Sequence, residues 1–159
     1  MLYIARNIGG AREVEMPNGN YDHDFYAWAN EQAALLRAGE FSRADVENIA
    51  EEIASMGRTE KRELVSRLTV LLLHLLKWRF QPNKRSNSWK HSIATSRDQL
   101  AEHLDDNPSL KSKLPQAITS AFRYARRGAA DETGLDDSVF PELCPWTFDQ
   151  MMEEEFWPG

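Results

Sequence analysis

The sequence has a single cysteine, Cys144, among its 159 residues. One cysteine cannot form an internal disulfide, which is typical of a reducing cytoplasm, and it excludes zinc-finger and iron–sulfur ligand sets. The apolar run VLLLHLL is far too short to span a bilayer. The first residues, MLYIARN, lack the basic stretch and long apolar run of a signal peptide. We therefore expect a cytoplasmic protein that does not enter a membrane.

The motifs of the common active sites are also missing. The chain has no glycine-rich phosphate loop, no GxSxG and no HExxH. A di-iron bundle needs Glu-x-x-His pairs, and no glutamate stands three residues before His74, His91 or His103. We accordingly predict no catalytic residue, no metal and no cofactor, and the sequence gives no positive sign of an enzyme.

Composition and length indicate one globular domain. Hydrophobic residues make up 42% of the chain and aromatic residues 10%, values that are typical of folded proteins. A chain of 18.3 kDa is long enough to bury one substantial core. We predict an extended leader over residues 1–20, which end in PNGN, and a single helical domain over 21–159. Met16 is an alternative start of the chain.

The apolar residues recur with the period of a helix throughout. Asp22 or Asp24 is the expected N-cap of the first helix, and Gly39 and Gly57 are expected to end the first and the second. Pro82 should end the third, and Pro115 should kink or delay the fifth. The predicted helices are 24–38, 45–56, 59–80, a fourth that Ser86 or Ser88 caps and that ends at about 106, 109–132 and a short one from about 148. The sequence thus predicts an all-α bundle of five to six helices with an aromatic, proline-rich C-terminal clasp.

Each helix has an apolar face that predicts the core. The faces of the first two helices are Tyr21, Phe25, Trp28, Leu35 and Leu36, and Val46, Ile49, Ala50 and Ile53. The faces of the fourth and fifth are Trp89, Ile93, Leu100 and Leu104, and Leu110, Leu114, Ala117, Ile118, Ala121, Ala125 and Gly128. The small residues of the fifth should let a neighbouring helix approach closely. The clasp should use Phe140, Trp146, Phe148, Phe156 and Trp157.

Charge is distributed unevenly along the chain. The segment Leu64–Arg97 has seven Lys or Arg and no Asp or Glu, whereas the residues after Arg127 have nine Asp or Glu and no Lys or Arg. The simpler interpretation is that the acidic tail folds back over the basic middle and neutralises it. The alternative is a basic face for an anionic partner.

Six blocks of the sequence resemble domain-of-unknown-function family 29, over about residues 21–157. They are YDHDFYAWANEQAALLRAG, DVENIAEEIASMGRTEKREL, SRLTVLLLHLLKWRFQP, SW at Ser88–Trp89, PSL at Pro108–Leu110 and FPELCPW. The HLLKW-QP block is distinctive. The resemblance implies a small bacterial, all-helical, single-domain protein. It implies no particular activity, because none is established for the family, and it does not include the leader before Tyr21.

Polar residues on apolar helix faces form the first candidate site. At 100° per residue, one edge of the third helix carries Glu63, Arg67, His74 and Gln81. Gln32 and Glu52 occupy similar positions on the first and second helices. Because a buried polar group without a partner costs roughly 1–3 kcal/mol, we expect these six residues to bond to each other. They predict either a pocket in which Arg67 and His74 meet a ligand or a closed network that sets helix register.

The turn after the third helix is the second candidate site. It interleaves cations with Trp78, Phe80 and Trp89, which is the right chemistry for phosphates and for base stacking. The cations are Lys77, Arg79, Lys84, Arg85 and Lys90. Against a nucleic-acid site stand the acidic pI of about 5.3 and the absence of a nucleic-acid-binding motif. A solvated helix–helix corner is the alternative.

Three classes of function stay open. The first is an interaction or regulatory module with an unknown protein partner or with itself. The second is a small-ligand binder or enzyme that uses the Arg67/His74 edge. The third is a nucleic-acid binder that uses the turn 77–90.

Overall fold

The computed structural model describes residues 21–159, and the predicted leader lies outside them. These residues form five α-helices joined by loops and short 3₁₀ segments, and none of the described residues forms a strand. The helices are α1 Phe25–Arg37, α2 Val46–Phe80, α3 Asn87–Asp106, α4 Leu114–Thr133 and α5 Phe148–Met152. The all-α prediction is confirmed.

The chain divides into two compact units, Met1–Ser55 and Met56–Gly159. The described part of the N-terminal unit contains α1 and the first turns of α2. The C-terminal unit contains the rest of α2, with α3, α4, α5 and the tail. The expectation of a single domain stays a prediction.

Helix α2 corrects the predicted boundary at Gly57. It continues through this glycine for 35 residues, where the sequence predicted two helices. A glycine inside a helix costs roughly 1 kcal/mol relative to alanine, which lowers stability but does not stop the helix. A glycine ends a helix when its own backbone is left-handed. Gly39 has this conformation after α1, with φ +74°, and Gly134 has it after α4, with φ +70°.

The remaining helix boundaries follow local rules. The side chain of Asp24 accepts a hydrogen bond from the backbone N–H of Ala27 and caps α1. Ser86 caps α3 in the same way through the N–H of Trp89. Pro115 lies in the first turn of α4, where its missing N–H costs nothing, and the preceding residues Pro108–Lys113 form a 3₁₀ segment. The late start predicted for the fifth helix is therefore confirmed.

Leucines of α2 form the centre of the core in the C-terminal unit. Leu64, Leu68, Leu71, Leu72, Leu75 and Leu76 are fully buried. Every fourth residue of α4 from Ala117 to Ala129 is a buried alanine. A Cβ added to Gly128 would lie 3.3 Å from Cδ1 of Leu73, so α4 approaches α2 closely at this point. The predicted role of the small residues is confirmed.

The C-terminal tail packs against this core as predicted. Phe140, Trp146 and Met151 are buried, and Phe148, Phe156 and Trp157 pack against them while half-buried. The Cys144 thiol donates to the carbonyl of Trp146 at 3.4 Å, and burial raises the pKa of this thiol.

The predicted core of the N-terminal unit is partly wrong. Trp28 and Leu35 are buried, but Phe25 is 51% exposed, and Val46 and Ile53 are 64% and 65% exposed. Leu36 is also exposed. The indole N–H of Trp28 donates to Oδ2 of buried Asp45 at 3.2 Å and so joins α1 to the residue that precedes α2.

Candidate functional site

The predicted Arg67/His74 edge lies along α2 in the C-terminal unit. Nε of Arg67 forms an ion pair with Oε1 of Glu63 at 2.8 Å, one turn earlier. Nδ1 of His74 lies 2.9 Å from the carbonyl oxygen of Val70, which places the proton on Nδ1. The amide of Gln81 donates to the carbonyl of Thr133 at the end of α4, at 3.2 Å.

The other two residues of the predicted cluster have partners inside the N-terminal unit. Oε1 of Gln32 accepts from the backbone N–H of Asp45 at 2.8 Å. The hydroxyl of Tyr21 donates to Oε1 of Glu52 at 2.5 Å, and this hydrogen bond raises the pKa of Tyr21 to about 12.

The six predicted cluster residues therefore bond mostly to near neighbours rather than to each other. Glu63 and Arg67 are a direct pair, and the other four bond to backbone groups or to Tyr21. Among the described residues, Nε2 of Gln32 is buried and has no hydrogen-bond partner. A ligand role for the edge stays a prediction.

The cations of the turn 77–90 lie against its aromatic rings. Lys77 lies 4.8 Å from the ring centroid of Trp89, and Arg79 lies 5.3 Å from that of Phe80. Arg85 lies 4.9 Å and Lys90 lies 5.9 Å from the ring of Trp78. Lys84 is exposed.

These cation–π contacts involve the same aromatic rings on which the bases of a nucleic acid would have to stack. Trp78 is buried, and its ring also packs on Trp157 of the tail with 4.9 Å between centroids. A base stacks only on an aromatic face that is open to it. The cations instead stabilise the corner by cation–π contacts. Lys77 also forms an ion pair with Glu132 at 2.6 Å, which joins the basic segment to the acidic C-terminal third.

A groove between α2 and α4 is a concave surface of the C-terminal unit with apolar walls. Its volume is about 710 Å³. It is lined by Arg58, Lys61, Arg62, Val65, Ser66, Thr69, Val70, Ser120 and Tyr124. We call this surface the α2–α4 groove.

The two helices that form the α2–α4 groove run in the same direction, since Gly128 lies beside Leu73 and Glu132 pairs with Lys77 further along both helices. The groove is lined at Ser66 and Ser120 by side chains too short to fill the gap. Its apolar walls are solvated, because Val70 is 44% and Tyr124 is 49% exposed.

One end of the groove is positively charged. The two carboxylates of this turn of α2 face other partners, since Glu60 lies 3.8 Å from Nδ1 of His103 and Glu63 pairs with Arg67. Within residues 21–159, neither Lys61 nor Arg62 has an ion-pair partner. The groove therefore joins an apolar half at Val70 and Tyr124 to a cationic end.

Sequence reasoning missed this groove, although α2 carries a signal for it. Val70 stands away from the main stripe of leucines, on a side of the helix that Ser66 shares. Apolar residues outside the core face indicate a second contact surface.

Sequence reasoning also missed Arg97, the most consequential buried polar residue. It lies on the apolar face of α3, between Ile93 and Leu100, and is 6% exposed. Its guanidinium donates to the carbonyls of Met151, Glu154 and Phe156 at 2.8, 3.0 and 2.7 Å. Burial lowers its pKa. A lone arginine in an apolar stripe was the available signal.

Comparison with protein-family models matches residues 20–157 to the family described as domain of unknown function DUF29. The chain belongs to this family. The match includes all of the described residues except the last two. No curated protein and no solved structure matches the chain.

Two further findings concern the described part of this DUF29 chain. None of its helices combines the length and the apolar composition needed to cross a membrane. Nowhere in residues 21–159 do three His, Cys, Asp or Glu side chains come together in a way that could hold a metal ion.

Proposed function

We propose that the protein is an interaction module that binds a partner protein in the α2–α4 groove. The observation that carries the proposal is the pair of solvated apolar walls, Val70 and Tyr124, on either side of a groove of about 710 Å³. Apolar side chains gain roughly 25 cal/mol per Å² when a partner covers them, so a concave apolar surface favours docking.

The alternative sites support a function less well. The Arg67/His74 edge bonds to its own helix, and the rings of the basic turn are occupied by its own cations. The single cysteine supports a cytoplasmic location for the module.

Site-specific photo-cross-linking tests the proposal. A benzoylphenylalanine replaces Tyr124 in the full chain, which is expressed and irradiated in the cells that naturally produce the protein. We expect a covalent adduct with another protein chain. Ser66→Trp should abolish the adduct, because a bulky side chain on this exposed position fills the groove without changing charge.

Gln99→Trp is the matched control, since Gln99 is exposed on α3 and outside the groove. It should leave the adduct unchanged. Circular dichroism of each variant checks that the helices are intact. A folded protein that forms no protein adduct at position 124, or an adduct that Ser66→Trp does not affect, would contradict the proposal.

A further inference from the structure

We infer that the partner segment in the α2–α4 groove is an acidic amphipathic helix, an inference that rests on the proposed function. The shape of the groove is the first argument. Its lining on α2 runs from Arg58 to Val70, and twelve residues of helix extend about 18 Å at 1.5 Å per residue. The wall on α4 is one turn long, from Ser120 to Tyr124. A surface of this length on α2, walled over one turn by α4, matches a helix of about three turns that lies along α2.

The charge of the groove is the second argument. Lys61 and Arg62 are exposed cations, and the carboxylates of Glu60 and Glu63 are engaged elsewhere. An acidic segment would meet opposite charge at this end, and a basic one would be repelled. Surface potential of this kind contributes mainly to association rate and to specificity.

The order of features along the groove defines the partner further. Lys61 precedes Val70 by nine residues, which is about 13 Å along the helix axis. The partner should therefore place its apolar anchors against Val70 and Tyr124, and its carboxylates two to three turns away. Valine walls have no role in binding phosphate, so the groove suits such a helix better than a nucleic acid.

The hydroxyl of Thr69 in the groove does not need a polar ligand. Thr69 donates its hydroxyl to the carbonyl of Val65 at 2.7 Å and is thereby satisfied. The middle of the groove can be covered by an apolar helix face without leaving this hydroxyl unpaired.

Charge reversal in the same cross-linking experiment tests the inference. With benzoylphenylalanine at position 124, Lys61→Glu/Arg62→Glu should lower the adduct yield at least tenfold. The matched control is Lys84→Glu/Lys111→Glu, which changes net charge equally at exposed positions outside the groove. It should lower the yield less than twofold. Thermal unfolding of both variants checks that they fold.

Mass spectrometry of the adduct gives the partner segment itself. We expect apolar residues at helical spacing near the cross-link and at least two Asp or Glu seven to eleven residues away. An adduct that survives Lys61→Glu/Arg62→Glu at full yield would overturn the inference and leave the proposed function standing. A cross-linked segment that is basic, or an adduct with a second copy of this chain, would also overturn the inference and leave the proposed function standing. Absence of any adduct, or a nucleic-acid adduct, would overturn both.

Discussion

At the scale of single residues, Arg97 shows how one buried cation organises a tail. Three backbone carbonyls of the tail converge on its guanidinium, and Trp157 lies 5.4 Å from the guanidinium carbon. A fixed fork of N–H donors suits three carbonyls that no helix satisfies. The residue therefore ties the tail to α3 in the absence of a disulfide.

Replacement of this cation should destabilise the protein strongly. In Arg97→Met the three carbonyls lose charge-assisted hydrogen bonds, and we expect the free energy of unfolding to fall by about 3 kcal/mol. In Arg97→Lys the free energy of unfolding should fall almost as far, because one ammonium group cannot reproduce the fork of N–H donors. Urea unfolding measures both. Arg127→Met, at an exposed arginine, should change stability by less than about 0.5 kcal/mol; an equal loss there would contradict the assigned role.

Tyr21 offers a second test at this scale. Its hydrogen bond to Glu52 raises its pKa to about 12, above the ordinary value of 10.0. A raised pKa means that the bond stabilises the fold below pH 10 and that this contribution is lost as pH rises towards 12. Carbon-13 NMR of the tyrosine ring measures the titration. Glu52→Gln should lower the pKa of Tyr21 towards 10, and an unchanged pKa would show that Glu52 is not its cause.

At the scale of elements, α2 is continuous where its sequence contains a helix-weakening residue. Gly57 has helical backbone, and a Cβ built there meets nothing within 4 Å. The glycine therefore lowers the stability of α2 without any compensating contact among the described residues.

Gly57→Ala should accordingly stabilise the protein. We expect a gain of about 0.5–1 kcal/mol in the free energy of unfolding, because alanine removes the entropic cost of glycine in a helix. Gly39→Ala is the contrasting variant: its φ of +74° strains any residue with a Cβ, so it should cost about 1 kcal/mol. Thermal melts followed at 222 nm compare the two, and the same sign for both would refute this explanation.

At the scale of the whole molecule, the two units differ in the charge they carry and in the number of hydrophobic side chains they expose or bury. Residues 21–55 contain eight Asp or Glu and two Lys or Arg. The same short stretch holds six large hydrophobic residues that are exposed. The C-terminal unit, by contrast, buries a large contiguous core of leucine, alanine and aromatic side chains.

The tail is part of that core, so its removal should destabilise the C-terminal unit. A variant that ends at Asp136 lacks Phe140, Trp146 and Met151, which are all buried. We expect a melting temperature at least 10 °C lower, increased binding of a hydrophobic dye and aggregation. A variant that lacks only exposed Gly159 should melt like the full chain. Equal stability of the chain ending at Asp136 would show that the tail is not a clasp.

The sequence by itself determined the class of fold and the nature of most helix ends. Apolar periodicity, the caps at Asp24 and Ser86, the glycine at position 39 and the proline at 115 act through local backbone geometry. Local geometry is readable from a few neighbouring residues. Leu64, Leu68, Leu71 and Leu75 of α2 recur at helical spacing, and the structure buries all four.

Only the tertiary structure decided which faces are covered and which polar groups meet. Trp28 and Asp45, seventeen residues apart, form a hydrogen bond, and Ile53 is exposed. Arg97 binds carbonyls more than fifty residues away. The α2–α4 groove is lined by residues of two helices that are about fifty residues apart in the chain. Such features follow from long-range packing, which the pattern of one helix does not contain.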